Sequence, residues 1–201
     1  MLKVGLTGGL ASGKSFVGHA LADLGCHLIE ADRLGHEVLL PGGEAYDGVV
    51  GEFGTGILNP DGTIHRKRLA AEVFGKPERL AVLNSLVHPP VFRRENALMK
   101  EYESQDPRGI AVVEAAILIE TGSYKRFDRL ILVVCDEASQ LERAVERENG
   151  DVEELRARLQ RQMPVEEKKR FADYLIDTSG SKEETLRQTR VVYDALRSIK
   201  Q

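Results

Sequence analysis

The chain has 201 residues, of which 42% are hydrophobic and 30% are charged. This composition is typical of a globular protein with one main core and excludes a mainly disordered chain. Its net charge of -4 argues against electrostatic binding of long nucleic acid. No apolar run is long enough for a transmembrane helix, and the N-terminus lacks the pattern of a secretory signal. We therefore expect a cytoplasmic monomer or weak homo-oligomer with no nucleic-acid or membrane partner. The two cysteines form no CxxC pair and are expected to be buried.

The first segment of the chain predicts a strand, a helix and a second strand. Residues 3–7 form a short apolar run that ends in glycines, and residues 13–24 carry apolar side chains at helical spacing. The apolar residues 26–29 predict a second strand, which we expect to lie beside the first. Asp32 follows this strand. It stands where it can cap the next helix, or serve a ligand site at the carboxyl edge of the sheet.

Residues 33–108 have a different character, because turn signals rich in glycine and proline separate short helical stretches. These stretches lie near residues 43–53, 65–75, 77–86 and 89–104. We expect residues 33–108 to form a mostly helical insert carried on the main sheet.

Three further strands are predicted, at residues 110–115, 129–135 and 174–176. The first of them is almost continuously apolar, which is typical of a strand buried on both faces of a parallel sheet. A charged helical stretch at 137–171 and a last helix at 181–199 complete the chain. Strands that alternate with helices predict a doubly wound α/β fold.

Residues 8–15, Gly-Gly-Leu-Ala-Ser-Gly-Lys-Ser, match the pattern GxxxxGK[ST] between the first strand and the first helix. Glycines let several backbone N–H groups turn toward phosphate oxygens, and the following helix directs its positive end to the same place. Lys14 is expected to reach the outer phosphates, and the Ser15 hydroxyl to ligate Mg²⁺. The motif predicts a nucleotide site on a P-loop NTPase-type three-layer core with a five-stranded parallel sheet.

The order of predicted strands and helices divides the chain into three parts. The core is assigned to residues 1–32, 109–136 and 172–201. Residues 33–108 are assigned to a helical insert and residues 137–171 to a helical lid. In a kinase, the insert would bind the acceptor and the lid would exclude water from phosphoryl transfer.

Phosphate loops serve switches, motors and small-molecule kinases. The chain has no NKxD motif of a guanine-nucleotide switch and is short for a motor. A small kinase also needs a base for the acceptor hydroxyl, and Asp32 is the candidate. The sequence therefore favours a small-molecule kinase. The alternatives are a kinase acting on a nucleoside monophosphate or sugar, and a regulatory ATP-binding module without acceptor chemistry.

The predicted lid carries the candidate cations for the phosphates. Arg143 and Arg147 are four residues apart and share one face of a helix. The other candidates are Arg158, Arg161, Lys168 and Lys169. Because glutamates are interleaved with these residues, a solvated and salt-bridged surface is the alternative for each.

Three further residues are candidates with open alternatives. Glu114 and Glu120 flank the end of the third strand, and either suits Mg²⁺ held through water, or is an ordinary carboxylate at a strand end. His88 precedes a proline pair and is either a ligand contact or a structural hydrogen-bonding residue.

Taken in order, these motifs resemble the dephospho-coenzyme A kinase family along nearly the whole chain. The matching segments are 6–15, Glu30-Ala31-Asp32, Asp61-Gly62 with Arg66, His88-Pro89, 116–120, Arg143 with Arg147, Arg158 with Gln162, and Ala172-Asp173. The loop alone is unspecific, whereas the ordered series is specific. Departures from the family pattern stand at Phe16, Glu30, Ala116 and Thr178.

The resemblance implies phosphoryl transfer from ATP, with Mg²⁺, to the 3'-hydroxyl of the ribose of dephospho-coenzyme A, giving coenzyme A and ADP. It implies that Asp32 is the catalytic base and that Lys14 and Arg143 are catalytic. The implied ATP-binding residues are Gly9, Leu10, Ala11, Ser12, Gly13, Lys14, Ser15, Phe16, Arg143 and Arg147, with Ser15 as the metal ligand. The implied acceptor contacts are Thr7, Asp32, Arg33, Arg66, His88 and Glu120.

Overall fold

The structure of the chain is a computed structural model, and it describes residues 1–148, 152–160 and 162–199. The chain divides into two compact units, one of residues 1–30 with 101–201 and one of residues 31–100. Among the helices of the described ranges, none has both the length and the apolar character needed to cross a membrane.

The first unit contains a parallel sheet of five strands, counted over the described residues, in the order β2-β3-β1-β4-β5. The strands are β1 (Leu2–Gly8), β2 (His27–Glu30), β3 (Ile110–Glu114), β4 (Arg129–Val134) and β5 (Tyr174–Asp177). All neighbouring strands run parallel. The predicted α/β class and parallel sheet are confirmed.

The position of β2 differs from the prediction. It was expected beside β1, but β3 lies between them and pairs with both. The burial of the two strands gives the physical reason, because every residue of β3 is buried, whereas only Ile29 of β2 is. A strand that is apolar over four of its five residues and buried throughout gains most from neighbours on both sides, and a half-polar strand fits the edge.

The helices follow the predicted pattern with two differences. They are α1 (Lys14–Asp23), α2 (Ala31–Glu37), α3 (Tyr46–Phe53), α4 (Arg66–Val73), α5 (Pro77–Gln105), α6 (Glu137–Glu148), α7 (Val152–Gln160), α8 (Val165–Lys168) and α9 (Lys182–Arg197). The stretches predicted near 77–86 and 89–104 form the single helix α5, which continues through Pro89 and Pro90. Pro90 and Val91 are buried, so tertiary packing outweighs the loss of the proline hydrogen bonds.

The second difference concerns Asp32. Helix α2 begins at Ala31, so Asp32 lies in the first turn of the helix instead of capping it. A carboxylate in that turn still interacts favourably with the positive end of the helix.

The core of the first unit lies between the sheet and two helices. Val4 and Leu6 of β1 are fully buried, as are Leu21 of α1 and Leu196 of α9. The alternation of β1 directs residues 2, 4 and 6 to this face. The strand is thereby held on one side by apolar packing, which places its carboxyl end, where the phosphate loop begins, on a rigid support.

Candidate active site

The phosphate loop joins β1 to α1 by a backbone path that requires unusual dihedral angles. Gly13 has φ of 81° and is the N-cap of α1, and Ala11 has φ of 52°. Glycine adopts a positive φ without strain and here has no side chain to cap the helix. The first-turn N–H groups of α1 are therefore suited to bind an anion, which the positive end of the helix also favours.

The first two glycines of the loop are required for space. A Cβ on Gly8 would lie 2.6 Å from both Ser12 Oγ and the Val133 carbonyl oxygen. A Cβ on Gly9 would lie 2.8 Å from Gln140 Nε2. A side chain at Gly8 would collide with rigid backbone, so the loop shape depends on glycine there.

Three side chains meet where α1 begins. Ser15 Oγ donates a hydrogen bond of 2.7 Å to Glu114 Oε1, and Lys14 Nζ lies 3.8 Å from the same oxygen. Glu114 is 5% exposed, and its Oε2 is buried without a hydrogen-bond partner among the described residues. The group therefore combines a cation, a hydroxyl and a carboxylate with one unsatisfied buried oxygen.

A cavity of about 210 Å³ lies above the start of α1. It is lined by residues 11–16 of the loop together with Arg143 and Arg147. The predicted nucleotide-binding residues Ala11 to Phe16 and both arginines are thus brought together in one place. Two arginines and Lys14 around the end of a helix make the cavity electropositive, as an anion site requires.

Arg143 is held at this cavity by its own hydrogen bonds. Its Nη1 donates to Thr178 Oγ1 at 3.0 Å and to Cys135 Sγ at 3.3 Å, and its Nη2 donates to the Thr178 carbonyl oxygen at 2.7 Å. Cys135, which accepts one of these bonds, is only partly buried, whereas both cysteines were expected to be buried. Cys26 is buried, as expected.

Two glutamines clamp the peptide of Leu10 in the loop. The Leu10 N–H donates to Gln162 Oε1 at 3.1 Å, and Gln140 Nε2 donates to the Leu10 carbonyl oxygen at 3.1 Å. Gln140 belongs to α6, and Gln162 follows α7. The predicted lid segment is thus hydrogen-bonded to the phosphate loop at both polar atoms of one residue.

A larger cavity of about 420 Å³ lies between the end of β4 and the segment from α6 to α8, with Gly9 and both glutamines in its wall. Lys168 also lines it and is 3% exposed. Its Nζ forms an ion pair of 2.6 Å with Glu120 Oε1. Lys168 is therefore a buried partner of Glu120 and not part of a solvated surface, which was the alternative for the lid cations.

Four predicted site residues belong to the second unit. Asp32 and Arg33 are exposed on α2, where Arg33 Nε pairs with Glu37 Oε1 at 3.2 Å. Arg66 is the first residue of α4. Partial burial lowers the pKa of His36. The positive charge of Arg66 lowers this pKa further, and the negative charge of Asp32 opposes the shift. Charges of Asp32 and Arg66 therefore act on the same histidine.

The remaining residues are distributed as follows. His88 of α5 is partly buried, which lowers its pKa, and its ring lies 5.8 Å from that of Phe92. Thr7 is 1% exposed and donates to the Ala116 carbonyl oxygen. Arg161 lies outside the described residues, as does the side chain of Arg158.

Sequence reasoning missed Gln140, and it named Thr178 only as a departure from the family pattern, without its contact with Arg143. Gln140 lies three residues before Arg143 on α6, so the spacing that grouped the arginines also indicated this residue. The role of Thr178 at Arg143 depends on contacts between segments 35 residues apart, for which the sequence contains no local signal.

Comparison with known proteins identifies relatives along the whole chain. The family model described as dephospho-CoA kinase matches residues 2–184. A dephospho-CoA kinase of Aquifex aeolicus is 39% identical over 196 residues, which cover 98% of each chain. The crystal structure of a Thermus thermophilus protein designated TT1252 has a TM-score of 0.81 at 29% identity, with 96% of each chain covered. A dephospho-CoA kinase structure from Campylobacter jejuni has a TM-score of 0.70 at 25% identity, covering 97% of this chain and 96% of the other.

Proposed function

The chain belongs to the dephospho-CoA kinase family, and on this basis we propose that it transfers the γ-phosphoryl group of ATP to the 3'-hydroxyl of the ribose of dephospho-coenzyme A. The products are coenzyme A and ADP. The observation that carries the proposal is the group of Lys14, Ser15 and Glu114 at the start of α1, together with the two arginines over the loop. This group has the charges that phosphoryl transfer needs.

The phosphate loop binds ATP through its backbone N–H groups and Lys14. The positive end of α1 and the Lys14 ammonium attract the β- and γ-phosphates, and Arg143 and Arg147, which also line the cavity, neutralise phosphate charge. Such cations act most strongly where water is excluded, so the segment around α6 and α7 serves as a lid.

The donor set at Ser15 fits Mg²⁺. A hydroxyl oxygen and a carboxylate 2.7 Å apart are hard oxygen ligands, and Glu114 Oε2 is a buried oxygen that needs a partner. Mg²⁺ in nucleotide sites typically uses one or two protein oxygens, phosphates and water. When bound, it supplies charge neutralisation for the phosphates. Glu120 is a weaker candidate because Lys168 already neutralises it.

Asp32 serves as the general base of the transfer. Its carboxylate accepts the proton of the acceptor hydroxyl as the oxygen attacks the γ-phosphorus, while ADP leaves from the opposite side. Arg33, Arg66 and His88 of the second unit contact the acceptor, which has phosphates of its own. Positioning and charge neutralisation supply most of the rate, and no covalent enzyme intermediate is formed. We expect the enzyme to act in the cytoplasm.

An ADP-release assay with different acceptors tests this function. Dephospho-coenzyme A is compared with ribonucleosides, nucleoside monophosphates and sugars at equal concentration with MgATP. We expect ADP formation that depends on dephospho-coenzyme A and is far slower with the others. Preference for another acceptor would identify a different small-molecule kinase. ATP binding without any acceptor-dependent ADP would identify a regulatory module.

A further inference from the structure

Thr178 stands directly after β5 and is only 4% exposed. Its hydroxyl donates a hydrogen bond of 2.8 Å to the Ser12 carbonyl oxygen, and its N–H donates to the Val134 carbonyl oxygen at 2.9 Å. One side of this residue is therefore fixed to the sheet and the other to the phosphate loop, 166 residues away in the chain.

The same residue accepts two hydrogen bonds from Arg143. Nη1 donates to the Thr178 side-chain oxygen and Nη2 to its carbonyl oxygen, so both terminal nitrogens of the guanidinium are engaged. The one proton of the Thr178 hydroxyl is taken by a backbone carbonyl oxygen, that of Ser12 at 2.8 Å or that of Val134 at 3.3 Å, and the lone pairs of the hydroxyl oxygen are therefore available to the cation. The fork of the guanidinium fits two acceptors on one residue, and such charge-assisted bonds are strong.

Packing makes this arrangement rigid. A Cβ on Gly13 would lie 3.2 to 3.4 Å from three side-chain atoms of Thr178, so the threonine packs closely against the loop backbone. Gly13 immediately precedes Lys14, and the cavity above it includes Arg143. Thr178 thus touches the loop and the arginine at the same time.

We propose that Thr178 is a positioning residue, which holds Arg143 against the phosphate loop so that the guanidinium is oriented before ATP binds. The inference deepens the proposed function and rests on it for the role of Arg143. A cation that is already oriented requires no reorganisation when charge develops, and this lowers the barrier of the transfer. Thr178 acts through Arg143 and the loop and makes no contact with the reacting atoms.

The test compares T178V with T178S in the full-length protein. Valine keeps the shape of the side chain and removes the hydroxyl, whereas serine keeps the hydroxyl. We expect T178V to weaken MgATP binding, measured by titration calorimetry, about tenfold and to reduce kcat about as much. T178S should stay within about twofold of the wild type. Equal effects of T178V and T178S, or none from either, would overturn the proposal.

T189V is the matched control. Thr189 is fully buried, and its hydroxyl donates to the Thr185 carbonyl oxygen at 2.8 Å within α9. The substitution removes a comparable buried hydrogen bond without touching Arg143. It should leave MgATP binding and kcat unchanged within about twofold, even if it lowers the melting temperature. An equal loss of ATP affinity in T189V would mean that general destabilisation explains the effect.

A double-mutant cycle with R143A tests whether Thr178 acts through Arg143. If Thr178 acts through Arg143, T178V should weaken ATP binding at least threefold less in the R143A background than in the wild type. If T178V weakens ATP binding by the same factor in both backgrounds, the two residues act independently and the proposal is overturned. R143K provides a test that does not need T178V to fold, because lysine keeps the charge but lacks the fork. It should bind ATP about as weakly as R143A, and wild-type affinity would contradict the inference.

These outcomes also separate the inference from the proposed function. The double-mutant cycle measures ATP binding in the absence of an acceptor, so its result still tests the role of Thr178 if dephospho-coenzyme A proves to be a poor substrate. Wild-type protein that binds MgATP but forms no ADP with dephospho-coenzyme A would overturn the proposed function alone. Wild-type protein that does not bind MgATP would overturn both.

Discussion

The Ser15 hydroxyl donates to Glu114 Oε1 at 2.7 Å, while Glu114 Oε2 is buried without a hydrogen-bond partner in the described part of the chain. A buried carboxylate oxygen of this kind is costly unless a cation completes it. The pair therefore links the last residue of the phosphate motif to the end of β3 and gives the metal proposal its structural basis.

Substitution of Glu114 tests this link. E114Q keeps the size of the side chain and removes its charge, so we expect the Mg²⁺ concentration for half-maximal activity to rise about tenfold or more. The substitution also removes the ion pair with Lys14, so the melting temperature is recorded beside the Mg²⁺ titration to separate loss of stability from loss of metal binding. E183Q, at an exposed position of α9, is the control. An unchanged Mg²⁺ requirement in E114Q would exclude the proposed role.

Lys14 is expected to contribute to both ATP binding and transfer. K14A should lower kcat by about 10² to 10³, since it removes a fixed cation from the developing charge of the transition state. It should also weaken ATP binding. K182A removes an exposed lysine at the start of α9 and should change neither quantity. Steady-state kinetics with ATP titration measure both, and a K14A enzyme with normal affinity and rate would refute the role of the loop.

Asp32 is expected to affect the chemical step alone. D32N should leave MgATP affinity nearly unchanged and lower kcat by about 10² to 10⁴, the range for loss of a general base. Asp47 is an exposed aspartate in the first turn of α3 in the same unit, so D47N is a matched control with the same charge change. Near-normal turnover of D32N would remove Asp32 from the mechanism.

The glutamine clamp on Leu10 predicts slow exchange of that amide. In Q162A, the Leu10 N–H loses its acceptor, and we expect its hydrogen exchange to become several-fold faster, because one such bond contributes about 1 kcal/mol. Gln188 holds the N–H and carbonyl of Asp177 in the same way. Q188A should accelerate exchange at Asp177 and leave Leu10 unchanged. Equal Leu10 exchange in Q162A and wild type would show that the clamp is weak.

Burial of Cys26 predicts a dependence of stability on alkaline pH. Burial raises the pKa of the Cys26 thiol to about 12, partly opposed by the charge of Arg197. In the unfolded chain the thiol ionises near pH 8.5. The stability gained by keeping the thiol protonated in the folded protein is therefore fully present below that pH and is lost as pH rises toward 12. Between pH 7.5 and 10, the free energy of unfolding in urea should fall about 2 kcal/mol more for wild type than for C26A. If the free energies of unfolding of wild type and C26A fall in parallel over this pH range, the prediction is wrong.

Much of the site could be predicted because its residues are adjacent in the chain. Residues 8–15 form the phosphate loop with the expected strand before and helix after, since glycine content and hydrophobic periodicity are local properties. The helical spacing of Arg143 and Arg147 likewise indicated that they act together, and both line the cavity.

Other features were decided only by tertiary structure. The place of β3 between β1 and β2 depends on which strand gains most from burial on both faces, which is a comparison between distant segments. The continuous α5 through two prolines depends on the packing of Pro90 and Val91. Local propensity cannot foresee either result, because packing free energy exceeds the small differences of propensity.

The sequence by itself determined the family, the phosphate loop and the alternation of strands and helices, all of which depend on residue type and short-range spacing. Only the tertiary structure decided the partners: Glu114 at Ser15, the glutamines at Leu10, Lys168 at Glu120 and Thr178 at Arg143. The physical reason is that hydrogen bonds and ion pairs act over about 3 to 4 Å in space. A side chain therefore acquires its partner only when the fold brings segments tens to more than a hundred residues apart to that distance.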